Sequence, residues 1–98
     1  MAEIFVGIDP GLNGALAVID HVTLEIFDVP KVKTPTGKND YDISKMVDIL
    51  RPYCRGDNDS VVVVIEQVFS MPGNGNVSMF TFGRGKGLWE GICYALGC

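Results

Sequence analysis

Two acidic residues of this sequence stand out because each lies at the carboxyl end of an apolar, β-prone segment, whereas most other charged residues lie in polar segments. Asp9 comes after residues 3–8 and opens a turn, and Glu66 comes after the valine-rich residues 61–65. If the two segments are parallel neighbours in one sheet, both carboxylates lie at the edge where open α/β sheets bind ligands. Two carboxylates a few ångströms apart repel each other unless a cation or a proton joins them. The pair therefore indicates a possible cation site.

The cation that suits such a pair is Mg²⁺. It takes carboxylate oxygens as ligands and keeps other positions for waters and substrate phosphates. Two such ions about 4 Å apart can clamp the attacking and leaving oxygens of a phosphodiester. The spacing alone equally allows a structural role, in which Asp9 caps its turn and Glu66 only marks the end of a strand.

Three segments around these acids resemble one known family. Gly-Ile-Asp-Pro-Gly at residues 7–11, followed by Gly14, resembles the opening of RuvC-type Holliday junction resolvases, which belong to the ribonuclease H-like superfamily. Val-Ile-Glu-Gln-Val-Phe at residues 64–69 is similar to that family's second motif, the strand that delivers its glutamate. Gly-Arg-Gly-Lys-Gly at residues 83–87 resembles the helix that supports homodimer formation in the family. The resemblance spans nearly the whole chain in the family's order, although the opening segment alone is also similar to actin-like and sugar-kinase-like ATPases.

This resemblance implies a metal-dependent endonuclease that resolves four-way (Holliday) junctions by hydrolysing phosphodiester bonds. Asp9 would bridge two Mg²⁺ ions, for which Mn²⁺ would substitute, and Glu66 would hold one of them. A homodimer would place two such sites on opposed strands of a two-fold junction. The residues expected to contact the branched DNA are Gln67, Phe69, Arg84 and Lys86.

Several of these side chains have an ordinary structural explanation as well. Phe69 could stack against or wedge into a distorted junction, or it could be a core residue. The lysines of residues 31–39 could contact phosphates or serve only solubility.

In the family the remaining metal ligands lie in a final helix that follows a fifth strand, and this sequence ends before both. We therefore expect a partial domain, truncated at its C-terminus, whose 98 residues alone cleave slowly or not at all. Two alternatives remain open. One is a catalytically inactive module that binds branched DNA or has a structural role. The other is a fragment of an actin-like or sugar-kinase-like ATPase, in which Gly11 and Gly14 cradle phosphates.

The elements that must position the two acids follow from the residue pattern. Residues 3–8, 15–19 and 24–29 predict three antiparallel strands, and the polar residues 31–39 predict a loop. Apolar residues at helical spacing predict a helix that begins after Asp42, its N-cap, and ends at Pro52.

The second half of the chain completes the predicted layout. Residues 61–65 predict a strand that is buried on both faces. A last helix follows residue 76, and its glycines at 83, 87 and 91 predict that another backbone packs close to one stripe. The predicted class is α/β: a ribonuclease H-like mixed sheet in the order β-β-β-α-β-α, which lacks the family's last strand and helix.

Composition limits the remaining possibilities. With 98 residues, 47% hydrophobic and 20% charged, the chain fits a single domain over residues 1–98 and is not disordered as a whole. A net charge of -4 argues against bulk electrostatic binding of nucleic acid, so phosphate contacts would need a local basic patch. No apolar run is long enough to cross a bilayer. The cysteines at 54, 93 and 98 predict reduced, buried thiols in a cytoplasmic protein.

Overall fold

The computed structural model describes residues 3–54, 60–67 and 76–98, with side chains from residue 79 onward in the last range. Most of its elements agree with the sequence pattern. Within the described ranges the elements are, in chain order, β1 (Glu3–Ile8), β2 (Ala15–Ile19), β3 (Leu24–Asp28), β4 (Lys31–Lys33), β5 (Asn39–Tyr41), α1 (Ile43–Leu50), β6 (Ser60–Ile65) and α2 (Asn76–Leu96).

The main sheet is mixed and has the strand order β3-β2-β1-β6. Strand β2 pairs antiparallel with both β1 and β3, as the predicted meander requires. Strand β6 pairs parallel with β1 after the chain has passed through α1. The predicted α/β class with a mixed sheet is confirmed.

Residues 31–39 were expected to form a loop, and this prediction is wrong. Strands β4 and β5 pair antiparallel as a small second sheet. Pro35 and Gly37 lie in the turn that joins them, where Gly37 has a φ of 82° that favours glycine. The pattern did not show these strands because nearly all their side chains are exposed, so no alternation of apolar and polar residues marks them. The buried exception is Tyr41 at the end of β5.

The core lies between one face of the main sheet and the two helices. Asp42 caps α1 as predicted, because its side chain accepts a hydrogen bond from the Lys45 amide at 3.2 Å. Trp89 of α2 is fully buried against the sheet and α1. Within the described residues, no helix is long and apolar enough to cross a membrane. The buried apolar residues that the sheet and the helices share include Val6, Ile8, Leu16, Val18, Met46, Leu50 and Ile92.

Strand β6 was predicted to be buried on both faces, and this prediction is wrong. Its side chains alternate between half-buried and exposed, and Val64 is 63% exposed. The valines indicate a strand but not its position, and here β6 is an edge strand whose outer face no described element covers. The exposed apolar side chains on this outer face of the sheet are Phe5, Ile19, Leu24, Ile26, Val62 and Val64.

Close backbone packing along Gly83, Gly87 and Gly91 was also expected, and the structure contradicts it within the chain. A Cβ atom added at any of the three would meet nothing within 4 Å. A side chain would not fit at Gly85, because this residue is buried against Tyr41 and the backbone that follows β1. The spacing of four residues marked one stripe of the helix, but the close contact is on another side.

The cysteines differ from the prediction of three reduced thiols. Cys54 and Cys98 form a disulfide with a Cα–Cα distance of 4.9 Å, whereas Cys93 is free and buried as expected. The two bonded residues are 44 positions apart, and they meet because the C-terminal ends of α1 and α2 lie side by side. Sequence spacing alone does not show this approach.

Candidate metal and DNA site at the ends of β1 and β6

The two acids predicted to hold a metal occupy neighbouring positions at one edge of the main sheet. Ile8 of β1 pairs with Ile65 of β6, and the Glu66 amide donates to the Ile8 carbonyl at 2.9 Å. Asp9 and Glu66 are the residues that follow this pair, and both are exposed. Since adjacent strands lie about 4.8 Å apart, the two carboxylates start from backbone positions close enough to share one cation.

Hydrogen bonds within a tight turn fix the backbone around Asp9. The Asp9 amide donates to the Ala15 carbonyl at 3.0 Å, and the Gly14 amide donates to the Gly11 carbonyl at 2.9 Å. One carboxylate oxygen of Asp9 accepts a bond from the Gly11 amide at 3.2 Å. This bond orients the carboxylate and leaves its second oxygen available to a ligand.

Gly14 is required for this arrangement because it packs directly on Asp9. A Cβ atom at Gly14 would lie 2.9 Å from both the carbonyl carbon and the Cγ atom of Asp9, and closer still to the carbonyl oxygen. Any side chain at this position would displace the backbone or the carboxylate of Asp9. The glycine quoted in the sequence motif therefore has a steric reason.

Tyr41 and Gly85 support the same turn from the protein interior. The Tyr41 hydroxyl lies 2.8 Å from the Pro10 carbonyl and 2.9 Å from the Thr81 carbonyl, and its single proton is shared between these two acceptors. A Cβ atom at Gly85 would stand 2.6 Å from Tyr41 Cζ and nearer to the Pro10 oxygen. The end of β5 and the middle of α2 thus hold the turn that carries Asp9.

Sequence reasoning missed both supporting residues. Tyr41 is the single buried residue of a polar hairpin, and its partner is a backbone atom 31 positions away. An isolated tyrosine directly before a helix N-cap was the available signal. Gly85 was visible only as one of several glycines in the same helix.

The environment of Tyr41 keeps its hydroxyl protonated, as a donor must be. Burial raises the pKa of Tyr41 above its ordinary value, and the negative charges of Asp40 and Asp9 raise it further. The Arg84 guanidinium opposes this increase. At neutral pH the hydroxyl therefore remains a hydrogen-bond donor to the turn.

The predicted DNA contacts on α2 are both engaged in ion pairs within the chain. Arg84 pairs with Asp40, and its guanidinium carbon lies 5.6 Å from the centre of the Tyr41 ring. Lys86 pairs with Glu90 one turn further along the helix. Both side chains are only partly buried, so each retains donors that face solvent.

The structure describes only some of the other residues that were predicted to contact DNA. Gln67 is exposed directly after Glu66, and Phe69 lies outside the described residues. In the basic segment, Lys31 donates to the Asn13 side-chain oxygen at 3.0 Å, and Lys33 approaches the Gly37 carbonyl at 3.4 Å. Of the described lysines, Lys31 is thus tied to the turn that carries Asp9.

A groove beside Asp9 adds residues that the sequence did not indicate. It is lined by the turn, including Leu12 and Asn13, and by Thr81 and Phe82 of α2. The groove combines an acidic group, an amide and an aromatic ring on one open surface. Asp9 is therefore accessible to a large ligand and is not confined to a closed cavity.

The donor set at the strand ends fits a hard divalent cation that is shared with a substrate. Among the described residues, no group of three or more histidine, cysteine or acidic side chains converges on one point. Mg²⁺ is commonly bound through one or two carboxylates, with waters and substrate phosphates as its other ligands. Asp9 and Glu66 provide such a pair, with one oxygen of Asp9 held by the turn.

Comparison with known proteins does not identify a family for this chain. No protein-family model matches it, and no curated protein shows significant similarity to it.

Proposed function

We propose that this protein is a metal-dependent endonuclease of the RuvC type, with a ribonuclease H-like fold, that hydrolyses phosphodiester bonds in branched DNA such as four-way junctions. The observation that carries the proposal is the parallel register of β1 and β6, which brings Asp9 and Glu66 to adjacent strand ends. The sequence around each acid resembles the matching motif of that family. We also propose a cytoplasmic location, where such an enzyme meets its DNA. This part of the proposal rests on the nuclease function alone, because the Cys54–Cys98 disulfide is unusual for a cytoplasmic protein.

In the proposed mechanism, Asp9 and Glu66 would hold Mg²⁺, with Mn²⁺ as a substitute. When bound, the ion would stabilise the negative charge that develops during phosphodiester hydrolysis. The task of the chain is to keep both carboxylates in place before the DNA arrives. Gly14 and Gly85 leave the space that the turn needs, and the Tyr41 hydroxyl anchors the Pro10 carbonyl. Such support keeps a site close to its productive geometry.

DNA binding would then rest on local contacts, because the net charge of -4 opposes the approach of DNA. Gln67 and Phe69 come shortly after Glu66 in the sequence, so they are proposed to contact the DNA near the cleaved bond. Arg84 and Lys86 are proposed to contact phosphates with the donors that their ion pairs leave free. Phosphate contacts of this kind position a nuclease without reading sequence.

A homodimer is part of the proposal because a junction has two strands to cut. The exposed stripe of Gly83, Gly87 and Gly91 has open space over it, which supports close approach by a helix of a second copy. The molecular mass in solution, measured by sedimentation, should correspond to two chains.

The test is a cleavage assay on a synthetic four-way junction with labelled strands, in Mg²⁺ and separately in Mn²⁺. The wild-type chain should nick the junction slowly, since Asp9 and Glu66 are its only assigned metal ligands, and it should leave a linear duplex of the same sequence intact. Asp9→Asn and Glu66→Gln each remove one negative charge and nearly no volume, so they should abolish nicking without unfolding the protein.

Two matched variants control for the loss of charge itself. Asp48→Asn changes an exposed acid on α1, and Glu3→Gln changes an exposed glutamate at the opposite end of β1. Both should cleave like the wild type. Nicking that survives Asp9→Asn would refute the assigned site. Junction binding that never leads to nicking, and that neither site variant alters, would instead favour a non-catalytic branched-DNA-binding module.

A further inference from the structure

We propose that the groove beside Asp9 is a nucleotide subsite, in which Phe82 stacks on a base of the DNA and Lys31 contacts a backbone phosphate. The inference rests on the proposed nuclease function, and it adds how the strand is held next to the metal-binding pair. It concerns residues that the sequence motifs do not include.

Phe82 and the Asp9 carboxylate face the same open space over Gly11. The point at which a Cβ atom of Gly11 would stand lies 3.6 Å from Asp9 Oδ1 and 3.6 Å from Phe82 Cδ2. The ring and the carboxylate are therefore at most twice that distance apart. Since Gly11 has no side chain, nothing of this residue fills the space between them.

The distances suit one strand of DNA. DNA rises about 3.4 Å per nucleotide along a strand, so a base on Phe82 belongs to a nucleotide within one or two steps of a phosphate at Asp9. Every base has a π-face, which lets an aromatic ring hold a strand without reading its sequence. The groove has a volume of about 440 Å³, within the range of roughly 300–1,000 Å³ found for ligand sites.

Lys31 supplies the positive charge at this groove. Its ammonium group donates to the Oδ1 atom of Asn13, one of the groove residues, at 3.0 Å. An ammonium group has three N–H donors, so two remain for a phosphate oxygen. Lys31 is exposed, and its hold on Asn13 keeps the charge beside the turn that carries Asp9.

The nucleotide assignment follows from the combination of these groups. An aromatic ring alone would suit many apolar ligands, and a lysine alone would suit many anions. A ring, a cation and a metal-binding carboxylate along one groove match the base, the flanking phosphate and the reacting phosphate of a DNA strand.

The experiment measures junction binding by fluorescence anisotropy, with Ca²⁺ in place of Mg²⁺ so that binding is read without turnover. Phe82→Leu keeps an apolar side chain of similar size but removes the ring, and it should weaken binding about 5- to 50-fold, as expected for one stacked base. Phe80→Leu is the matched control on the same helix, since Phe80 is 73% exposed and does not line the groove. It should bind like the wild type.

A second variant fills the open space and leaves Phe82 itself unchanged. Gly11→Ala would place its methyl group 3.6 Å from both Asp9 Oδ1 and Phe82 Cδ2, an ordinary contact distance, and its backbone has no positive φ. The protein should therefore fold normally, as circular dichroism would show, while junction binding falls at least fivefold. Lys31→Gln should weaken binding about two- to tenfold and lower its salt dependence, whereas the exposed control Lys45→Gln should not.

The outcomes separate this inference from the proposed function. If the wild type binds and nicks the junction but Phe82→Leu and Gly11→Ala bind equally well, the subsite is refuted and the nuclease assignment stands. If the folded wild type neither binds nor nicks the junction, both are refuted. Weaker binding of the two variants, with the Phe80 and Lys45 controls unchanged, is the result that we expect.

Discussion

Two glycines of α2 that lie two residues apart should respond in opposite ways to the same substitution. Gly85 packs against the turn that carries Asp9, so Gly85→Ala would place a methyl group 2.6 Å from Tyr41 Cζ and nearer to the Pro10 oxygen. Neither neighbour can swing aside easily, because one belongs to a buried ring and the other to the backbone. Gly83→Ala would add the same methyl group where nothing lies within 4 Å.

The magnitudes follow from two opposing effects. Alanine in a helix interior is more favourable than glycine by about 1 kcal/mol. Gly83→Ala should keep this gain in full when the proteins are compared at concentrations low enough to be monomeric, because the proposed dimer contact includes Gly83. At Gly85 the same gain is offset by overpacking, which costs about 1–3 kcal/mol and more when backbone must move. We therefore expect the free energies of unfolding of the two variants to differ by about 2 kcal/mol or more.

Thermal unfolding measures this difference. It can be followed by the fluorescence of Trp89, which is buried and is the single tryptophan of the sequence. For a domain of this size, about 2 kcal/mol corresponds to a difference in Tm of roughly 8–16 °C. Gly83→Ala should unfold a few degrees above the wild type, and Gly85→Ala should unfold below it. Equal melting temperatures, or a Gly85→Ala variant more stable than the wild type, would refute the packing of α2 against the Asp9 turn.

Two further predictions concern the framework around the site. Reduction of the Cys54–Cys98 disulfide, which closes 44 positions of sequence, should cost about 2–4 kcal/mol and lower the Tm by roughly 8–30 °C. Cys93→Ser should show the same effect of reductant, and an unchanged Tm in the wild type would contradict the bond. Tyr41→Phe should cost about 1–2 kcal/mol near neutral pH, because the Pro10 and Thr81 carbonyls lose a buried donor. Because the pKa of Tyr41 is raised in the folded state, the stability of the wild type should be retained below about pH 10 and fall above it. The free energy of unfolding, measured in urea at about pH 8 and pH 11, should therefore fall less for Tyr41→Phe than for the wild type. An equal fall in both proteins would exclude this role of Tyr41.

The sequence was sufficient to predict the elements that carry the two acids. Strand β1 is a run of apolar, mostly β-prone residues. Helix α1 has apolar residues at helical spacing, and it begins after its capping residue Asp42, as expected. The parallel direction of β6 followed from the helix that joins it to the three-stranded meander, whereas its position beside β1 was only a condition of the predicted site. This pairing is the basis for placing Asp9 beside Glu66.

The features that could not be predicted depend on contacts between distant segments. The hairpin of β4 and β5 is solvent-exposed apart from Tyr41, so its strands have no apolar pattern. Which glycine of α2 meets the Asp9 turn depends on how the helix is rotated against the sheet, and spacing alone pointed to another stripe. Tyr41 donates to the Pro10 carbonyl, and Phe82 lines the groove beside Asp9. Both arrangements join segments that are distant in the sequence and exist only in the folded chain.

The measurement that tests the central claim most directly is a titration with Mn²⁺, followed by electron paramagnetic resonance of the free ion. If Asp9 and Glu66 hold one cation together, the wild type should bind Mn²⁺, and Asp9→Asn and Glu66→Gln should each raise the Kd by about tenfold or more. The Kd of the double variant should be close to that of the single variant that binds Mn²⁺ more weakly. Either substitution alone already removes the shared site, so the second one has little left to weaken. Glu3→Gln, at the far end of β1, should leave the Kd unchanged. Binding of Mn²⁺ that neither site variant weakens would contradict the account.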